Sequence, residues 1–91
     1  MTAAVDVTVR ETTDGWIADV TVRGEHTTTH RVRVTSAEHE RYGAGDVADL
    51  VRRSFAFMLA REPNTSILRE FSLGTIERYF AEYPREIQGT A

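Results

Sequence analysis

Residues 5–34 alternate polar and apolar side chains in three successive stretches, and that pattern constrains everything that follows. In Val5-Asp6-Val7-Thr8-Val9-Arg10 the valines share one face, and Asp6, Thr8 and Arg10 the other. In the second stretch Trp16, Ala18, Val20 and Val22 oppose Ile17, Asp19, Thr21 and Arg23. In the third, Thr28, His30, Val32 and Val34 oppose Thr27, Thr29, Arg31 and Arg33. Period-two alternation places successive side chains on opposite faces of a strand. Asp14-Gly15 supplies the positive φ angles used by tight hairpins, and Gly24 is read the same way. The stretches therefore predict an antiparallel meander of three strands with one apolar face, and another layer of the same chain has to cover that face.

The rest of the chain reads as that cover. Thr35-Ser36-Ala37-Glu38 has the spacing of a capping box, so a short helix is expected to start there and stop at Gly43. Gly43-Ala44-Gly45 is the expected joint, and Asp46 caps a main helix running to about Glu62, where Pro63 ends it. At 100° per residue Val47, Ala48, Leu50, Val51, Phe55, Phe57, Met58 and Leu59 cover about half of that helix's circumference. This arc is wider than one sheet face needs. Residues 65–71 are predicted as a helical turn, followed by a last helix from Ser72. Leu73, Ile76, Tyr79, Phe80 and Tyr83 fall at helical spacing on it, Pro84 ends or kinks it, and the tail through Ala91 frays. The reading is one α+β domain over 1–91: a sheet in 4–35 and a helical part in 36–88, with a short, a long and a C-terminal helix packed on one sheet face.

Composition narrows the chemistry. With 91 residues the chain has material for one core, and it contains no cysteine, hence no disulfide framework or thiolate metal site. No apolar run approaches a membrane span and the N-terminus has no signal-peptide pattern, so cytoplasm is the expected location. His26 and His30 lie four apart on a strand, roughly 13 Å, which is too far for two ligands of one ion. His39 stands between two glutamates on a helix, where sequence neighbours point to different sides. Thr27-Thr28-Thr29-His30 reads as a strand-forming run, and Gly43-Ala44-Gly45 lacks the Lys of a phosphate-binding loop. No catalytic, cofactor or metal residues are assigned, and the chain is read as non-enzymatic.

The net charge is −3, and all eleven basic residues are Arg. An acidic balance makes nucleic acid an unfavoured partner unless basic groups share one face. Arg10, Arg23, Arg31 and Arg33 fall on the polar face of the predicted sheet and form the candidate nucleic-acid surface. Asp6 and Asp19 share that face, so cross-strand ion pairs explain the same pattern.

Two stretches carry family resemblances. Residues 50–63, from Leu50-Val51-Arg52-Arg53 to Arg61-Glu62-Pro63, with Ser66-Ile67-Leu68-Arg69-Glu70-Phe71 and Ile76-Glu77-Arg78-Tyr79-Phe80, resemble a group of small uncharacterised prokaryotic proteins built of a β-meander and helices. That likeness implies a fold and no activity. Glu11 with Asp14-Gly15-Trp16-Ile17-Ala18-Asp19-Val20, then Gly45-Asp46 before a helix, more weakly resembles the HicB-type antitoxin domain. Here the segment after Val20 lacks the usual proline-and-glycine turn, and two helical segments follow where one helix and a strand would be expected. This resemblance implies a partner-binding protein and transfers no site residues.

The functional expectation is a small protein-interaction module, homodimeric, with Phe57, Phe71, Ile76, Tyr79, Phe80 and Tyr83 as the interface. The wide apolar arc of the main helix is its warrant, because the arc needs cover beyond the sheet, either from the terminal segment around Ile67, Phe71, Ile76 and Phe80 of the same chain or, as favoured here, from a second copy across a twofold axis. The alternatives are a nucleic-acid-binding module using the Arg-bearing face, or an antitoxin-like partner-binding protein.

Overall fold

The computed structural model describes residues 4–43 and 45–89. Strands β1 (Ala4–Thr12), β2 (Gly15–Arg23) and β3 (Thr28–Thr35) form the expected antiparallel meander, and β4 (Glu70–Ser72) adds to it. The strand order is β1-β2-β3-β4, with β4 parallel to β3. Helices α1 (Ser36–Gly43) and α2 (Val47–Leu59) make the crossover that a parallel pair requires, and α3 (Thr75–Tyr79) and α4 (Tyr83–Gly89) close the chain. No helix among the described residues is long and apolar enough to cross a membrane.

The alternation read from the sequence sets the faces. Ala18, Val20, Val22, His30, Val32 and Val34 are buried beneath the helices, and Val5, Val7 and Val9 are half-buried. In the first hairpin Thr12 faces Gly15, so Thr13 and Asp14 form the loop. Gly15 takes φ +159°, and an added Cβ there would overlap the Val34 carbonyl oxygen and lie 2.9 Å from Thr35 Cα. Neither loop residue has a positive φ, contrary to the expectation for Asp14-Gly15, so the glycine is needed for the close approach of β3 and not as a central turn residue. Gly24, expected to act alike, has no positive φ.

The helix starts follow their caps. Thr35 N–H donates to Glu38 Oε1 at 2.9 Å and Glu38 N–H to Thr35 Oγ1 at 3.1 Å, the reciprocal pair that the spacing predicts. Asp46 accepts from Asp49 N–H at 3.0 Å and opens α2, which ends three residues short of the expected Glu62.

The sequence reading of residues 65–91 is corrected in three places. A single 3₁₀ turn spans Asn64–Ser66, and Glu70-Phe71-Ser72, assigned to the helical part, is a strand. The last helix is two helices, parted at Phe80, which turns to φ −133° and ψ 94°. Pro84 lies in the first turn of α4 and ends nothing, because the first amides of a helix have no intrahelical acceptor to lose. Residues expected to fray thus form α4 through Gly89, with Ile87 buried. Ala44 of the expected joint, and Thr90 and Ala91 of the tail, lie outside the described residues.

Candidate interaction surfaces

The expected dimer interface has mostly been used up inside the chain. Phe57, Phe71, Ile76 and Tyr83 are buried in the core. The wide arc of α2 is covered by α4 and the segment before it: Phe57 meets Tyr83 edge-on at 5.3 Å and Phe80 at 5.6 Å between ring centroids. The Tyr83 hydroxyl lies 2.7 Å from Ser54 Oγ, and Ser54 Oγ donates its one hydrogen to the Leu50 carbonyl at 2.8 Å. The Tyr83 O–H is therefore the donor to Ser54, and burial pushes this phenol's pKa up. Arg53 donates to the Ile87 carbonyl and Gln88 to that of Arg41, so polar ties as well as packing fasten α4. Contacts assigned to a second copy are supplied by residues 80–87 of the same chain.

Of the six interface candidates, Tyr79 remains exposed (68 %) and Phe80 half-buried. Tyr79 borders a pocket of about 140 Å³, a size that takes a benzene-like group. Met58, Ile67, Phe71 and Ile76 line it as buried residues, and Leu68 borders it with 47 % exposure. These two side chains are the large apolar groups left exposed among the described residues, and both border this one groove. The sequence reading took Tyr79 into an interface but left out Leu68, which no periodicity marks because it sits between a 3₁₀ turn and a three-residue strand.

The groove's banks are set by polar ties. The Leu68 carbonyl lies 2.7 Å from His30 Nδ1, which must carry the proton, since a carbonyl only accepts. His30 Nε2 lies 2.8 Å from Thr28 Oγ1, accepting from that hydroxyl when the ring is neutral, and Asn64 donates to the Thr28 oxygen at 3.0 Å. His30 is thus a buried core residue joining β3 to the segment before β4. On the Tyr79 side, Glu38 Oε2 accepts from Gly74 N–H at 2.8 Å. Glu77 on α3 accepts from Tyr42 O–H at 2.7 Å and from Arg41 at 2.9 Å to each oxygen. The Tyr42 hydroxyl, with Arg41, holds the Glu77 carboxyl below its usual range, while burial and then Glu77 push the Tyr42 phenol up.

Glu82 and His39 are also tied into the fold. The Glu82 carboxyl is lowered by its own backbone amide and by Arg61, whose guanidinium also lies 3.7 Å over the Phe57 ring. His39 packs edge-on against Trp16 at 4.8 Å and bonds to the Gly45 carbonyl at 2.7 Å; His26 is exposed. Among the described residues no three His, Cys, Asp or Glu side chains gather as a metal site would require.

The structure places the four sheet arginines on the solvent face of β1, β2 and β3, with Arg10 and Arg23 at opposite ends of the first hairpin. Arg23 pairs with Asp6 at 2.9 Å and Arg31 with Asp19 at 3.0 Å, while Arg33 donates to Ser72 Oγ at 3.3 Å. Arg10 and Arg33 flank Ile17 in one cross-strand row. Two of the four charges are thus answered by carboxylates, and the side chains between them are Thr, Asp and Ile rather than the aromatic platforms on which bases stack.

Comparison with protein-family models, with curated proteins and with solved structures gives no match. The functional reading therefore rests on this chain's own geometry.

Proposed function

We propose that the protein is a non-enzymatic protein-interaction module that seats one apolar anchor side chain of a protein partner between Leu68 and Tyr79. The observation that carries this reading is the convergence of both exposed large apolar side chains on a single pocket with an apolar floor. Interface energy concentrates where an aromatic or aliphatic anchor fills such a pocket and excludes water. Thr75, Ser66 and Glu62 on the pocket's border offer hydroxyl and carboxylate groups to the partner's backbone or to a basic flank.

Selection of random displayed peptides on the immobilised full-length chain tests the reading. The selected peptides should share one Leu, Met or Phe at a fixed place and bind in calorimetry. Leu68→Ser and Tyr79→Ser should each abolish that binding while leaving the urea midpoint near that of the wild type. Peptides without a common apolar anchor, or binding unaffected by both substitutions, would refute it.

A further inference from the structure

The strand β1 is an edge of the sheet along all nine of its residues, Ala4–Thr12. An edge strand presents a row of backbone donors and acceptors, and proteins guard such rows with proline, lysine, bulges or inward-pointing charges. β1 pairs with β2 residue for residue without a bulge, contains no Pro, carries Asp6, Arg10 and Glu11 as its charges, and turns Val5, Val7 and Val9 toward the helical layer. These valines are only half-buried, although α2 packs over the strand. The edge is long and regular, and its inner side is apolar from Val5 to Val9, with Glu11 at the end.

We propose that this edge binds a second copy of the chain by antiparallel pairing of β1 with β1 across a twofold axis at Thr8, making one continuous eight-stranded sheet. Hydrogen bonding restricts the register first. Along a strand paired on one side only, alternate residues turn their amide and carbonyl outward, so opposed residues must have matching parity. That condition leaves axes that pass through a residue and keeps both helical layers on the same face. An axis at Thr8 is the one that uses all nine residues of β1.

Side chains select the same register. With the axis at Thr8, Asp6 of each copy, which pairs through Oδ2 with Arg23 of its own chain, faces Arg10 of the other on the solvent side, and Thr8 faces Thr8. On the inner side Val7 faces Val9, and Val5 meets Glu11 at the ladder's end, where the carboxylate reaches water. A shift of the axis to Val7 or Val9 loses both Asp6–Arg10 pairs and leaves seven residues matched. Opposite charges directly across a strand pair stabilise it and like charges destabilise it. Arg10 is well suited to the role, because its own cross-strand neighbour is Ile17 and its row holds Arg33 and no carboxylate. The surface is distinct from the Leu68–Tyr79 groove, which lies by β4 at the other end of the sheet, so neither proposal depends on the other.

Light scattering on the full chain, with two charge variants, tests the register. Wild type should give twice the chain mass of 10.3 kDa at high micromolar concentration. Asp6→Arg sets Arg against Arg10 and also removes the pair with Arg23 in its own chain, whereas Arg10→Asp sets Asp against Asp6 without breaking that pair, twice per dimer by symmetry. Each variant alone should weaken association roughly ten- to thirtyfold, with its circular dichroism unchanged. An equimolar mixture of the two should recover the dimer mass, because both cross-pairs are then of opposite sign. Thr8→Cys, the sole cysteine in its chain, should oxidise to a disulfide-linked dimer. A monomeric wild type at that concentration, a dimer indifferent to both charge variants, or a mixture no heavier than its components would overturn the proposal.

Discussion

Removing the Ser54 hydroxyl tests whether the tie between α2 and α4 holds the core together or only accompanies it. Ser54 is fully buried and its oxygen accepts the Tyr83 hydroxyl hydrogen at 2.7 Å. In Ser54→Ala that hydroxyl keeps its burial and loses its acceptor, and an unsatisfied buried donor costs about 1–3 kcal/mol. Alanine is the better helix former by about 0.5 kcal/mol, which offsets part of the loss. Tyr83→Phe removes the donor instead, leaves Ser54 bonded to the Leu50 carbonyl, and should cost about 0.5–1.5 kcal/mol. The double variant has no orphan, so its loss should fall short of the sum by about 1 kcal/mol. The helix-propensity gain occurs in both alanine arms and cancels from that difference. Urea unfolding followed through Trp16 fluorescence gives the four free energies, and thermal melts should fall by roughly 4–8 °C for each kcal/mol. Losses that add to within about 0.3 kcal/mol would show that the bond contributes nothing and that ring packing alone secures Tyr83.

Gly15→Ala should cost about 2 kcal/mol or more, read as a lowered urea midpoint, because the new Cβ overlaps the Val34 carbonyl and the first hairpin must open to admit it. Acid should weaken the α1–α3 tie: Glu77 is held below its ordinary carboxyl value in the fold, so its stabilisation is complete above the unfolded value of about 4.3 and is lost as pH falls through the folded one. Wild type should accordingly lose more stability than Glu77→Gln between pH 5 and the acid transition in urea melts, and parallel pH profiles would contradict this. Binding of random single-stranded DNA should be undetectable at physiological salt. Micromolar binding with a steep salt slope, weakened by Arg31→Ala and Arg33→Ala, would instead favour the arginine face as the functional surface.

The part of the fold legible in the sequence is the part governed by local rules. Alternation gave the faces of β1, β2 and β3, and the Thr35–Glu38 and Asp46 side chains marked where α1 and α2 begin. The unforeseen parts depend on residues distant in sequence. Glu70-Phe71-Ser72 is too short to display a period, and it becomes a strand because Val32 lies beside Phe71 and the Leu73 amide donates to the Arg33 carbonyl at 2.9 Å. Pro84 fits two local readings, a helix end before it or a helix start at it, and the burial of Tyr83 and Ile87 against α2 decides for the start. Four of the six interface candidates lie inside the core for the same reason. Apolar spacing shows that Phe57 and Tyr83 seek cover, and tertiary packing determines that they cover each other. Leu68, a bank of the groove, carried no signal of its own. The available clue was buried His30, whose ring nitrogens need partners and find one in the Leu68 carbonyl.

Leu68, just before the three-residue β4, and Tyr79, at the end of the five-residue α3, stand on segments tied to the rest of the fold by long-range bonds from His30, Glu38 and Glu77. Segments secured in this way open more readily than the hairpins beside them, in units that exchange their amide hydrogens together. A partner that binds the groove only when residues 67–80 are closed holds that unit shut by mass action. Occupancy should therefore be recorded in the slowed hydrogen exchange of Phe71, Leu73 and Ile76, while the amides shared by β1 and β2 keep the rates they have in the free protein. Hydrogen exchange would then detect the groove's partner through the backbone behind the groove before any contact with Leu68 or Tyr79 had been mapped.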